Sequence, residues 1–234
     1  MRALLSSLGL FIKQIYSDSM LLLIQAAPVL AGLVFKYVVP FAADYFNVGH
    51  YIEPYYLLFD VMYAMLMPYM LCFASALIIL SEIDDSISAY LFVTPLGKKG
   101  YVISRLIFPA CMGFMCNLLF IPLFSLTDLS VTHVIVLSFL AACNALIAAL
   151  FTVSFAGNRV EGMALAKIST IILLGAFVPF FIRGSISYVF YIFPSYWMAQ
   201  YLLSKSFWNV LWCIITIIIW IRILYSMFNR KMEK

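Results

Sequence analysis

Charge is what this chain has least of. Only 10% of its 234 residues are Asp, Glu, Lys or Arg, against roughly a quarter in a soluble domain. No soluble fold covers the 66% that are hydrophobic. A G-x-x-x-x-G-K-[ST] phosphate loop is missing throughout, which excludes the commonest nucleotide cradle. His50 and His133 stand alone, and Cys72, Cys111, Cys116, Cys143 and Cys213 lie inside apolar runs without Cys-x-x-Cys spacing. That pattern indicates neither a zinc site nor a disulfide framework. The formal charge of +4 is scattered, with no basic run to suggest nucleic acid. The first 19 residues also lack the compact apolar core and small-residue cleavage site of a signal peptide.

What the chain has instead is six long apolar runs: 20–42, 57–80, 102–125, 134–156, 167–182 and 207–228. About 20 apolar residues at 1.5 Å each cross a ~30 Å hydrocarbon core. Backbone groups in hydrocarbon must pair within the segment, so these runs predict helices; a barrel would show short alternating segments. The expected fold is all-α, a single membrane domain over residues 1–234 with six transmembrane helices. Of the 14 Lys and Arg, only Lys36, Arg183 and Lys205 fall on the side away from the N-terminus. The positive-inside rule therefore predicts cytoplasmic termini, and the expected location of this multi-pass protein is a bacterial cell membrane.

Residues 1–19 carry Leu4, Leu5, Leu8, Phe11, Ile12 and Ile15 at helical spacing, with Arg2, Ser6, Lys13 and Gln14 largely opposite. This predicts an amphipathic helix lying in the interface; a plain extension of the first span is the alternative. Between the second and third runs, residues 81–105 read SEIDDSISAYLFVTPLGKKGYVISR. Ser81 and Asp84 have capping-box spacing, Asp84 and Asp85 suit a helix N-terminus, and Ile83, Ile87, Tyr90 and Leu91 make one apolar face. Thr94, Pro95 and Gly97 end it. A short cytoplasmic helix over residues 81–97 is expected, its apolar face docked on lipid or on a partner.

That segment, with its acidic pair, amphipathic stretch, Thr-Pro and basic restart, resembles the coupling region of ABC transporter permeases of the second export type. Residues 157–167, GNRVEGMALAK, look like that family's turn between the fourth and fifth helices, and IFPSYWMAQYLL at 192–203 like the stretch before its last helix. One departure is Ser86 after the acidic pair, where many relatives carry other residues. The resemblance implies an exporter whose coupling segment, here Glu82, Ile83, Asp84, Asp85, Ile87, Tyr90, Leu91, Thr94 and Pro95, meets a cytoplasmic ATPase dimer. ATP and Mg would belong to that partner, with no cofactor on this chain. It also implies a second permease subunit, identical or homologous, and a re-entrant pair of short helices at residues 183–206 on the outer side. An aromatic interfacial belt explains the Tyr and Trp there equally well.

Polar residues inside the runs are the candidates for a translocation path: Gln25, Asp60, Asn117 and Asn144. Interhelical hydrogen bonding accounts for the three amides as readily, and Asp60 has Lys36 or Arg183 as prospective partners. Pro28, Pro68, Pro109, Pro122 and Pro179 predict kinks. An intramembrane enzyme or a channel is the rival class, though neither a catalytic constellation nor a filter motif is visible. The expected cargo is a peptide, a drug or another amphipathic molecule.

Overall fold

The computed structural model describes residues 2–182 and 184–232. Met1, Arg183, Glu233 and Lys234 lie outside them, as do the side chains of Arg2, Ala3, Leu4, Ala89 and Phe92. The expected places of Arg183 in the charge asymmetry, and of Arg2 and Leu4 on the faces of the first helix, therefore lie outside the described residues. Among the described residues the chain is 89% helical and has no strand. Six helices are long and apolar enough to cross a membrane: Ser19–Tyr45, Gly49–Asp84, Gly97–Phe124, Val131–Phe155, Arg159–Phe181 and Phe207–Lys231. Their number and order are those of the apolar runs. Their ends reach further, because an apolar run marks only what hydrocarbon requires, while helical hydrogen bonding continues into polar residues until something caps it.

The fifth span shows this most clearly. Residues 157–167 are not a turn; the turn is three residues, and the helix starts at Arg159. The Asn158 side chain accepts from the Glu161 N–H at 2.9 Å, and Glu161 in return accepts from the Gly157 N–H at 2.5 Å. These reciprocal caps begin the helix well before its apolar part.

Spans two and four form the centre. The most apolar stretch of the second is 78% buried and that of the fourth 67%, against 11% in the first and 17% in the sixth. Spans one and six therefore present Leu30, Phe41, Trp208, Trp212 and Ile219 outward, as lipid-facing helices do. Span three crosses span two at Gly113, where a Cβ would lie 2.7 Å from the Pro68 Cα. Any side chain there would push the two backbones apart. Two spans contain a wider π-helical turn, Val34–Val38 in the first and Ile103–Ile107 in the third, and each carries a basic residue, Lys36 and Arg105.

The N-terminal helix, Arg2–Ser17, splits the expected apolar face. Ser7, Phe11 and Ile15 are buried against the bundle, with Phe11 edge-on to Phe108 at 6.0 Å, whereas Leu5, Ile12 and Tyr16 stay exposed. Before the last span, tight helical turns over Ser185–Ile192 lead into a helix, Pro194–Ser204, whose Tyr196, Met198 and Tyr201 are buried. Trp197 fastens the two pieces by donating to the Tyr191 carbonyl at 2.8 Å.

Candidate functional site

The segment between spans two and three differs from its sequence reading in a way that reassigns several residues. Span two continues to Asp84, so Ser81, Glu82, Ile83 and Asp84 are its last turn and the Ser81–Asp84 capping box does not form. The break comes at Ser86, which adopts the left-handed region at φ 58°, and a separate short helix, Ile87–Val93, follows. Thr94 closes it, its hydroxyl donating to the Leu91 carbonyl at 2.7 Å. The outward face is Ile87, Tyr90 and Val93, the last two 71% and 85% exposed. Ile83 and Leu91 instead lean on the core. Asp84, Asp85, Thr94 and Pro95 are exposed.

Glu82 does not belong to that surface. It is buried and paired with Arg105, whose Nη2 donates to Oε1 at 2.6 Å and whose Nε lies 3.1 Å from the same oxygen. Tyr101 donates to Oε2 at 2.8 Å and the Gln14 amide to Oε1 at 3.3 Å. The guanidinium also donates from Nη1 to the Ser7 carbonyl at 3.1 Å and sits 5.7 Å above the Phe11 ring. A buried ion pair needs such extra hydrogen bonds to offset its desolvation. Here they come from the N-terminal helix and spans two and three, which the pair locks together. By sequence alone Arg105 is only a basic anchor; the signal it holds is an Arg inside an apolar run, with an acid near the end of the run before.

The four candidate path residues lie apart. The Gln25 amide donates to the Met70 carbonyl at 3.2 Å, that of Asn117 to the Ala64 carbonyl at 2.7 Å, and that of Asn144 to the Leu140 carbonyl at 3.0 Å. They stitch span one to span two, span three to span two, and span four to itself and to Met198 of the helix before the last span. Each leaves its side-chain carbonyl oxygen buried without a partner among the described residues. Asp60 caps the turn after span three, accepting from the Leu126 N–H at 2.7 Å and the Thr127 N–H at 3.0 Å. Lys36 does not pair with it; its ammonium donates to the Ser125 carbonyl at 2.6 Å.

A groove that the sequence does not reveal runs between spans one and five, with span two as its floor. It has a volume of about 820 Å³, inside the roughly 300–1,000 Å³ of small-molecule sites. Met20, Leu23 and Ile24 form one wall, Met163, Ala166 and Thr170 the other, and Tyr69, Met70 and Phe73 the floor. The Tyr69 and Phe73 rings lie nearly parallel, 6.4 Å apart. Lys167 stands at its edge, exposed, its ammonium without a partner among the described residues. No spacing rule gathers residues from three helices, so the apolar runs hide it.

A charged pair lies next to one end of the groove, where Asp18 adjoins the lining residue Ser19 and Arg159 starts the helix that carries Met163. Asp18 caps span one, accepting from the Met20 N–H at 3.0 Å, and pairs with Arg159 Nη2 at 2.5 Å. The Arg159 guanidinium holds the Asp18 carboxyl below its usual value against the opposing effect of burial, and the Leu21 and Met20 N–H groups add to the lowering. A depressed folded-state pKa means stability that is present above the ordinary Asp value and lost as pH falls through the lower folded one. Thermal unfolding in detergent should therefore drop between about pH 5 and pH 2 more steeply for the wild type than for Asp18→Asn, which keeps the cap and loses the titration. Parallel curves would refute the assignment.

Six helices long and apolar enough to span a bilayer make this an integral membrane protein. Residues 11–228 match the model of one export family, and the chain belongs to it: fluoroquinolones export permease protein, Rv2686c-like. The match agrees with the resemblance to second-type export permeases. No curated protein and no solved structure matches the chain.

Proposed function

We propose that this chain is the membrane subunit of an ATP-driven exporter whose cargo is a flat aromatic acid of the fluoroquinolone kind. The observation that carries this reading is the apolar groove with the Lys167 ammonium, unpaired among the described residues, at its edge. Stacked rings and methionines suit a planar aromatic body, and an unpaired cation at the rim suits its carboxylate. The family description names such cargo. Energy comes from a separate ATPase dimer that carries ATP and Mg and docks on the face made by Ile87, Tyr90 and Val93, with Asp84 and Asp85 beside it. Six spans make half of a twelve-span pair, so a second permease subunit, identical or homologous, completes the path. The basic residues gathered on the N-terminal side support cytoplasmic termini in the cell membrane.

Lys167→Gln tests the cargo assignment. A hydrogen bond to a charged group contributes about 1.5–3 kcal/mol, so ATP-driven uptake of a fluoroquinolone into inverted vesicles should fall roughly tenfold or more. Uptake of its ethyl ester, which has no carboxylate, should not change. Equal loss for acid and ester would remove Lys167 from the site.

A further inference from the structure

The two walls of the groove each begin at a charged residue, and these two residues are bound to each other. Asp18 immediately precedes Ser19, the start of span one, and Arg159 opens span five. Among the described residues their contact is the hydrogen-bonded link between those two spans. Arg159 has a second tie that uses its backbone: its N–H donates to Asp84 Oδ2 at 3.0 Å. Asp84 is the last residue of span two, and only Asp85 and the left-handed Ser86 separate it from the short helix Ile87–Val93. Arg159, the first residue of one wall helix, is therefore bound both to the residue that caps the other wall helix and to the end of span two.

Two ion pairs among the described residues, Glu82–Arg105 and Asp18–Arg159, are built differently. Glu82 and Arg105 are sealed, with side chains 3% and 2% exposed, and make several further hydrogen bonds. Asp18 and Arg159 are 29% and 32% exposed, and water stands ready to solvate both when they part. A part-exposed pair costs little to break and re-form, whereas a buried one is strongly destabilised by losing its partner. The first suits a moving part and the second a scaffold.

We propose that the Asp18–Arg159 pair is a latch across the end of the cargo groove, released when motion of the Ile87–Val93 segment pulls Arg159 through Asp84. The latch rests on reading the groove as the cargo site and that segment as the ATPase contact. Coupling of this kind requires that the drive act differently on the latched and open states; the Asp84 tether supplies that difference, because it moves Arg159 and leaves Asp18 in place.

The test uses the whole permease with its ATPase in vesicles. Asp18→Cys and Arg159→Cys together, joined by a propanediyl bis-methanethiosulfonate cross-linker long enough to replace the two side chains, should abolish drug export, and dithiothreitol, which cleaves the cross-link, should restore it; each single cysteine variant reports any background from the five native thiols. ATPase copurification should be the same with and without the cross-link, since the docking face is untouched. Asp18→Asn, which keeps the helix cap, should raise cargo-independent ATP hydrolysis. Export by the cross-linked protein at the rate of the uncross-linked one, or unchanged basal hydrolysis in Asp18→Asn, overturns the latch while leaving the transporter reading intact. Absence of export by the unsubstituted complex overturns the transporter reading itself, and the latch with it.

Discussion

Permease carrying Arg105→Ala is expected to reach the membrane poorly and, once solubilised, to unfold at a temperature lower by roughly 10 °C. The substitution leaves the Glu82 carboxylate buried, 3% exposed, with Tyr101 and Gln14 as its remaining partners. It also removes the donor to the Ser7 carbonyl. Removing one member of a buried pair costs about 3–5 kcal/mol, mainly because the other charge stays where water cannot reach it. Pairing Arg105→Met with Glu82→Gln should recover much of that loss, since no uncompensated charge is then buried. Thermal unfolding followed by gel filtration measures both. If the single substitution shifts unfolding by no more than the double one, the pair is not the clamp that joins the N-terminal helix to spans two and three.

Changing Tyr90 and Val93 together to Asp should abolish capture of the ATPase subunit while leaving the permease folded. Both side chains point outward and neither supports the core, so the stability cost is small. At a protein interface, aromatic anchors of this kind contribute about 2 kcal/mol or more, and two buried carboxylates without partners add desolvation to the lost contact. Copurification should fall by roughly 30-fold or more. Leu91→Asp serves as a contrast, because Leu91 packs inward and its substitution should lower the amount of folded protein instead. Retained capture and full export by the Tyr90/Val93 variant would make the short helix a lipid-surface element.

The helical class, the number of spans and their order are all legible in the sequence, because a helix that crosses hydrocarbon needs a long unbroken apolar run, which leaves a plain trace and differs from the alternating segments of a barrel. The site is legible only in part. Residues 81–84 look like a helix start by spacing, yet they finish span two, because no glycine or proline breaks the chain there and Ser86 turns it through a left-handed conformation that sequence does not announce. The split of Ile83 and Leu91 from Tyr90 and Val93 follows from that break, which resets the helical phase. Asp60 stands out as an acid in a span, but its hydrogen bonds go to the Leu126 and Thr127 N–H groups of the turn after span three, which local sequence does not place beside it, and Arg183, the other expected partner, lies outside the described residues. The groove and the Asp18–Arg159 pair depend on residues 141 positions apart, and no local pattern records such a meeting.

The wide turns at Lys36 and Arg105 bear on how relatives of this chain should be compared. A π turn holds one residue more than an α turn, so each of these spans has a surplus residue at its basic position. Removing a single residue from either turn would return it to regular α-helix while the flanking faces kept their present directions. Homologues are thus free to differ by a one-residue gap at these two places without any change of architecture. In an alignment, the column where such a gap opens would mark the charge: chains lacking the extra residue would be expected to lack the inward-aimed guanidinium or ammonium as well.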